Sequence, residues 1–396
     1  MTLFFILIFC IALVSAFKQP QWSLIALGAT LPLYVVRGDV FSMPTTVLEM
    51  CVLGVVCGVL VRARIRTIRK HSTFLLYASA FLYISTLACI ASPAFTQAAG
   101  IWKAYCVEPV LVGLCVLLTF TQEKEWRYLW SAMLCSGVVI SILCIVQYFT
   151  HTGIPEPWNV VGNIRTTAVY GYPNAVGLFL APLTTLCLGW SFEHKRFRTL
   201  LLCCTALFCF AIVLSRSDGA LVSVLAALFV LLLAYRAYIV ATILALCGTI
   251  ATLLIPSLQA IVTLRDTSGD VRRALWHGTL NLLTHQPLLG AGLANFPAAY
   301  NQYRLPSHVE LLEYAHNNVL DFWAQFGIGG VVWLCALFIA CIVYILKAQQ
   351  RSWPLVAVAI SILVYGLVDV PYFKNDLSIL CWILIANFFW NYKNKK

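Results

Sequence analysis

The sequence predicts an all-α integral membrane protein. Hydrophobic residues make up 61% of the 396 residues and charged residues only 10%, against roughly 25% charged in a typical soluble domain. The mean hydropathy is +0.88, and apolar stretches able to cross about 30 Å of hydrocarbon recur along the whole chain. Because a bilayer core offers the backbone no water to hydrogen-bond, these stretches are expected to be helices.

Thirteen apolar segments are the candidate helices. The first two have about 16 residues each, fewer than the ~20 that a spanning helix needs, so we predict one broken helix or a shallow pair there. The expected total is then about 12 transmembrane helices (12–13), with residues 1–396 forming a single membrane domain. The segments are 2–17, 21–36, 45–61, 73–91, 101–120, 128–149, 172–190, 199–215, 218–234, 237–256, 317–346, 353–369 and 376–391.

Basic residues between these segments indicate the orientation. The net charge is +11, and most of the Lys and Arg residues alternate with apolar segments in one set of connections. The positive-inside rule assigns that set to the cytoplasm. The charge is therefore read as an orientation signal, and nucleic acid is not a predicted partner. The basic connections are 62–70, 123–127, 194–198, Arg236, 347–351 and the C-terminal NYKNKK.

Two polar segments, 150–171 and 257–315, interrupt the apolar pattern on the predicted outer face. The second is too long for an idle connection, so function is expected there. All sixteen cysteines lie in or beside apolar segments. Neither a disulfide framework nor a zinc site is therefore predicted.

Within the long loop, TSGDVRRALWHGTLNLLTHQ predicts an amphipathic helix. Ser268 or Asp270 is the expected N-cap, and Trp276, Leu280 and Leu283 recur at helical spacing. Such a helix is expected to lie on the outer leaflet.

Arginines accumulate on the outer face, where the positive-inside rule expects few. Arg216 lies between two apolar segments with almost no loop around it. It is either an interfacial arginine that reaches lipid headgroups or a fixed phosphate or pyrophosphate ligand, since guanidinium is a rigid bidentate fork. Arg272 shares a helix face with Trp276, while Arg273 points about 100° away. Arg165 adds a cation at another outer helix entrance.

His316 is the candidate general base, because histidine titrates near neutral pH and can take a proton from a sugar hydroxyl. It begins the predicted helix 317–346, next to Asn317. Glu313 is expected to orient the imidazole from one turn earlier on the helix. Asp369 and Asp376 flank the last outer turn and have no predicted role. The alternative for His316 is a structural side chain.

Several strings resemble the bacterial O-antigen ligase and O-antigen polymerase superfamily. GDVRRALWHGTLNLLTHQPLLGAGLANF resembles its Arg-x-x-x-Trp helix followed by Pro-Leu-Leu-Gly-x-Gly. AHNNVLDFWAQFGIGG resembles the ligase pattern of histidine, a polar residue, nine residues and Gly-x-x-Gly. LSRSDGALVS and YGYPNAVGLFLA resemble two of its helix junctions, although Asp218 stands near positions that are usually small. The matched segments run from about residue 165 to 346.

The resemblance implies a metal-independent, inverting glycosyltransferase without a cofactor. It would lie in the bacterial inner membrane, with its active site and the large loop on the periplasmic side. Arg216 and Arg272 would bind the undecaprenyl diphosphate of a lipid-linked glycan donor, and His316 would activate a lipid A-core hydroxyl. The supporting residues would be Arg273, Arg165, Glu313, Asn317 and Trp276.

Length and motif spacing favour the ligase branch, with three alternatives. A polymerase would use a second lipid-linked repeat as acceptor. A protein O-oligosaccharyltransferase is expected to have an additional C-terminal region. A transporter or flippase is disfavoured because the sequence lacks paired, broken, charge-bearing helices in two halves.

Overall fold

The apolar segments form helices, as predicted. The computed structural model describes residues 1–63, 68–160, 162–306, 312–347 and 352–394; parts of the predicted basic connections and of the long loop lie outside these ranges. The helices are α1 (Thr2–Lys18), α2 (Pro20–Ala29), α3 (Val47–Leu60), α4 (Ser72–Ile90), α5 (Phe95–Trp102), α6 (Glu108–Thr119), α7 (Glu123–Thr150), α8 (Asn174–Glu193), α9 (Arg198–Ser215), α10 (Asp218–Ala234), α11 (Tyr238–Leu254), α12 (Pro256–Val262), α13 (Thr267–His285), α14 (Phe296–Tyr300), α15 (Asn318–Lys347), α16 (Trp353–Tyr365) and α17 (Asn375–Asn394). Short 3₁₀ turns at Leu31–Val35 and Lys195–Phe197 and a π-helical turn at Lys103–Val107 complete the helical segments.

Six of the described helices are long and apolar enough to cross a membrane. A seventh span is counted if α11 and its continuation Pro256–His285, bent by 107°, act together. The apolar helices α1, α3, α10 and α16 have 10–17 residues and fall short of this length. The chain is thus a multi-pass membrane protein, and the total of about twelve spans stays a prediction.

A small hairpin is the exception to the all-α prediction. Strands β1 (Arg37–Val40) and β2 (Met43–Thr46) pair antiparallel. The residues that join them, Phe41 and Ser42, both have positive φ, 50° and 65°. Two such residues make the turn whose twist matches a hairpin. The predicted helix 21–36 accordingly ends early, at Ala29.

Helix α8 lies at the centre of the bundle and packs against α9, α10 and α16. Its apolar window is 83% buried, against 28% for Lys195–Ser215. The N-terminus of α8 therefore places Asn174 inside the bundle, at the end where the long loop lies.

Helix α15 is broken at Gly327, whose φ of 68° and ψ of −169° are essentially restricted to glycine. A Cβ at this position would lie 2.0 Å from the Leu288 carbonyl oxygen. The loop after α13 docks into the break: Ala291 N donates to Ala324 O at 2.8 Å, and Ile328 N donates to Leu288 O at 3.3 Å. The break therefore ties the long loop to the helix that follows His316.

Helix α13 matches its prediction in extent but not in its cap. The cap is Asp266, whose carboxylate accepts from Gly269 N at 3.2 Å, and not Ser268 or Asp270. Leu280, from the predicted apolar stripe, is 47% exposed. The helix packs on α14 and α15 through a neighbouring stripe: Leu275, Gly278, Leu282 and Leu283.

Candidate active site

Arg216 is held at a tight junction between α9 and α10. It ends α9 in the left-handed conformation, with φ 52° and ψ 46°, and α10 begins two residues later. Its side chain is exposed and donates a hydrogen bond to the Asn163 side-chain oxygen. The junction thus fixes the backbone of Arg216, and the bond to Asn163 orients its guanidinium.

Three guanidinium groups line one cleft of about 520 Å³. They belong to Arg165, Arg216 and Arg272, and the acidic residues Asp218 and Asp266 also line it. The apolar residues in its lining are Val222, Ile261, Val262, Leu264, Val364, Leu367 and Val368. The cleft therefore combines positive charge with hydrophobic side chains.

Arg165 is the most constrained of the three arginines. Its Nε donates to Ser215 O at 3.1 Å and its Nη2 to Asn174 Oδ1 at 2.9 Å. The guanidinium also lies 5.0 Å from the ring centre of Trp158. Burial lowers the pKa of Arg165, an effect that Asp218 opposes, but arginine stays charged. Arg165 therefore joins the α9–α10 junction to the start of α8.

Arg272 and Arg273 point in different directions from α13, as predicted. Arg272 Nε donates to Val368 O at 2.7 Å, so its Nη groups are left for a ligand in the cleft. Arg273 forms an ion pair with Asp270 on the exposed side of the helix, and it is not among the residues that line the cleft. The two residues are therefore not equivalent.

His316 is paired with Asp369. Its Nδ1 lies 3.3 Å from Asp369 Oδ1, and the two side chains are 22% and 1% exposed. The carboxylate also accepts from Asn174 Nδ2 and from Val370 N, both at 2.8 Å. A carboxylate bonded in this way fixes the ring and its tautomer. With Nδ1 donating to Asp369, Nε2 is the atom that can accept a proton.

The pair shifts both pKa values. Burial by itself would lower the pKa of His316, but the hydrogen bond and charge of Asp369 outweigh it and raise the pKa above its usual value. Burial by itself would raise the pKa of Asp369, but His316 overcomes this and lowers it. The charge of Arg272 reaches His316 and acts to lower its pKa. The carboxylate is therefore built to stabilise an imidazolium.

The role predicted for Glu313 falls to Asp369, because the residues before α15 are not helical. Glu313 is exposed, and α15 begins only at Asn318. The Asn317 side chain accepts from Val319 N and Leu320 N and caps the helix. Without a helical turn, the assumed one-turn relation between Glu313 and His316 does not exist.

His316 lies beside the cleft and is not among the residues that line it. Two contacts connect them. Arg272 bonds Val368 O, one residue before Asp369, and Trp276, which lines the cleft, donates to Ala315 O at 3.0 Å. The cleft lined by the three arginines and the His316–Asp369 pair are therefore neighbours, with the segment 367–369 between them.

Sequence reasoning assigned no role to Asp369. No spacing connects it to His316, from which 53 positions separate it. Its one signal is a carboxylate next to an apolar segment, which is costly unless it is paired.

Among the described residues, no group of three or more His, Cys, Asp or Glu is arranged to hold a metal ion.

The family model for O-antigen ligase matches residues 203–335. This region is similar to the O-antigen ligase family. It covers about a third of the chain and confirms the resemblance seen in the motifs. The matched region contains Arg216, Arg272 and His316, whereas Arg165 and Asp369 lie outside it. The match indicates a glycosyltransferase-type activity. No curated protein matches the chain.

Proposed function

We propose that this protein is an O-antigen ligase that transfers a glycan from undecaprenyl diphosphate to a lipid A-core hydroxyl at the periplasmic face of the inner membrane. The observation that carries the proposal is the arginine cleft, lined by Arg165, Arg216 and Arg272, next to the His316–Asp369 pair. Arg216, Arg272 and His316 lie in the region that is similar to the O-antigen ligase family. The positive-inside pattern supports the periplasmic orientation.

The arginine cleft suits the donor diphosphate. Arg216 and Arg272 each offer bidentate N–H donors to phosphate oxygens, and Arg165 adds a third charge. The apolar residues of its lining, which include Val222 and Ile261, suit the first isoprene units. Positive charge that neutralises the diphosphate makes it a good leaving group, so the proposed reaction requires no metal.

The His316–Asp369 pair suits activation of the acceptor. His316 Nε2 would take the proton of the acceptor hydroxyl, and Asp369 would stabilise the imidazolium. The hydroxyl oxygen then forms a bond to the anomeric carbon while the bond from that carbon to the phosphate oxygen breaks. The electron pair leaves with undecaprenyl diphosphate. A direct displacement of this kind inverts the anomeric centre.

The acceptor distinguishes the ligase from its relatives. Purified protein is given lipid-linked donor and, in parallel, lipid A-core, a second donor molecule or a pilin-like protein, with chelator present throughout. We expect transfer to lipid A-core alone, with inverted linkage. Elongation of the second donor would make the protein a polymerase, and protein glycosylation an oligosaccharyltransferase. Absence of transfer to all three would refute the proposed function.

Arg216→Lys should raise the KM for the donor by about tenfold or more, because lysine is a point charge that lacks the bidentate fork. A matched control is Arg236→Lys. Arg236 also ends a helix with positive φ, 60° against 52° for Arg216, but it lies at the other end of α10. Initial rates at varied donor concentration check this. Equal donor KM values for Arg216→Lys and wild type would leave Arg216 as an interfacial arginine that reaches lipid headgroups.

A further inference from the structure

Lys374 lies in a cage of tyrosine rings. Its ammonium nitrogen is 4.7 Å from the ring centre of Tyr170, 4.9 Å from Tyr172 and 5.3 Å from Tyr34. In the part of the chain that the structure describes, it forms no ion pair. Cation–π attraction stabilises the charge, but it leaves the three N–H donors available. None of these groups has a role in the transfer step proposed above.

Further side chains lie around this cage: Tyr105 interacts with Asp376, and Tyr314 interacts with Tyr105 and Tyr172. We define the tyrosine–lysine chamber as Tyr34, Tyr105, Tyr170, Tyr172, Tyr314, Lys374 and Asp376. Tyr170 donates to Asp376 Oδ2 at 3.5 Å, and the rings of Tyr34 and Tyr170 stack at 6.1 Å. Tyr105 is presented by the π-helical turn Lys103–Val107, a distortion often found at functional sites. The chamber is therefore assembled from separate parts of the chain.

The chamber adjoins the His316–Asp369 pair. Tyr314 lies two residues before His316, and Tyr172 lies two residues before Asn174, whose side chain bonds Asp369. The chamber shares no residue with the arginine cleft. The histidine pair thus has the cleft as one neighbour and the chamber as another.

The chemistry of the chamber suits a saccharide. Aromatic faces cover the apolar C–H faces of a sugar ring, and a few fixed polar groups set its orientation. Lys374 can donate to sugar oxygens or to an acidic substituent, while Asp376 can accept from a hydroxyl. Tyr172 is 36% exposed, whereas Tyr34 and Tyr170 are 7% and 3% exposed. Tyr172 is therefore the ring that an incoming sugar can reach.

We propose that the tyrosine–lysine chamber binds the terminal sugar of the acceptor, stacked on Tyr172 and bonded by Lys374, so that its reacting hydroxyl faces His316. This inference rests on the proposed glycosyl transfer. It assigns donor and acceptor to different residues, so their KM values should respond to different substitutions.

The test is a set of Tyr172 and Lys374 variants, assayed with whichever acceptor the wild type uses. Loss of one aromatic contact should raise the acceptor KM about tenfold in Tyr172→Ala, with the donor KM unchanged. Tyr172→Phe keeps the ring and should stay near wild type, while Lys374→Met should also raise the acceptor KM. The control is Tyr148→Ala, at a tyrosine 40% exposed on α7 and outside the chamber.

An unchanged acceptor KM in Tyr172→Ala, or a change confined to the donor KM, refutes the chamber as the acceptor site. The proposed function would be left intact. If the wild type transfers to no acceptor, calorimetry with deacylated lipid A-core oligosaccharide measures separately whether the chamber binds the acceptor sugar. Weaker binding by Tyr172→Ala than by wild type supports it. Equal binding, or none by the wild type, refutes it.

Discussion

Replacement of His316 by alanine is expected to lower the transfer rate by about 10²–10⁴-fold, the usual contribution of a positioned general base. Nε2 is the proton acceptor, and nothing else on the His316–Asp369 pair can take its place, because Asp369 is buried and bonded to Asn174 and Val370. Single-turnover transfer with saturating donor and acceptor measures the loss. In cells, lipid-linked polymer should accumulate while lipid A-core stays unmodified.

His151→Ala is the matched control for His316→Ala. His151 also has a positive φ, 56° against 55°, so both substitutions place alanine in the same unfavourable backbone conformation. His151 ends α7 and is exposed. Comparable expression of the two variants, with loss of transfer in His316→Ala alone, would isolate the imidazole. Normal laddered lipopolysaccharide in His316→Ala would exclude it as the base.

Asp369→Asn is expected to reduce transfer by at least about tenfold, because the imidazolium that forms in the reaction loses its stabilising charge. It should also shift the pH profile. Asp369 raises the pKa of His316 against the effects of burial and Arg272. Without the carboxylate the pKa falls, so the neutral, proton-accepting form persists to lower pH. The acid limb of kcat should therefore move to lower pH.

The variant Glu313→Gln tests whether Asp369, and not Glu313 as the sequence suggested, acts on the His316 imidazole. Glu313 is exposed, and no described helical turn connects it to His316, so its removal should leave the pH profile in place. The measurement is kcat from pH 5 to 9 for both variants. A profile that shifts in Glu313→Gln and not in Asp369→Asn would mean that the wrong carboxylate has been assigned to the imidazole.

The sequence by itself was enough to predict the helices and the candidate arginines and histidine. Hydropathy and helical spacing are local, so α9, α10 and α13 were predicted near their observed ends. The predicted separation of Arg272 from Arg273 also agrees with the structure, since 100° per residue is a property of any α-helix. The chemistry of Arg216 and His316 follows from residue type and from their place at helix ends.

Only the tertiary structure decided which groups meet. Asp369 pairs with His316 because the loop before α15 and the turn after α16 are packed together, and no local pattern reports a contact across 53 positions. The tyrosines of the tyrosine–lysine chamber come from three separate connections and a π-helical turn. Helical propensity is set by neighbours in the chain, whereas a binding site is set by packing between distant segments. For that reason the sequence alone determined the helices and the candidate residues, whereas the tertiary structure determined which side chains those residues contact.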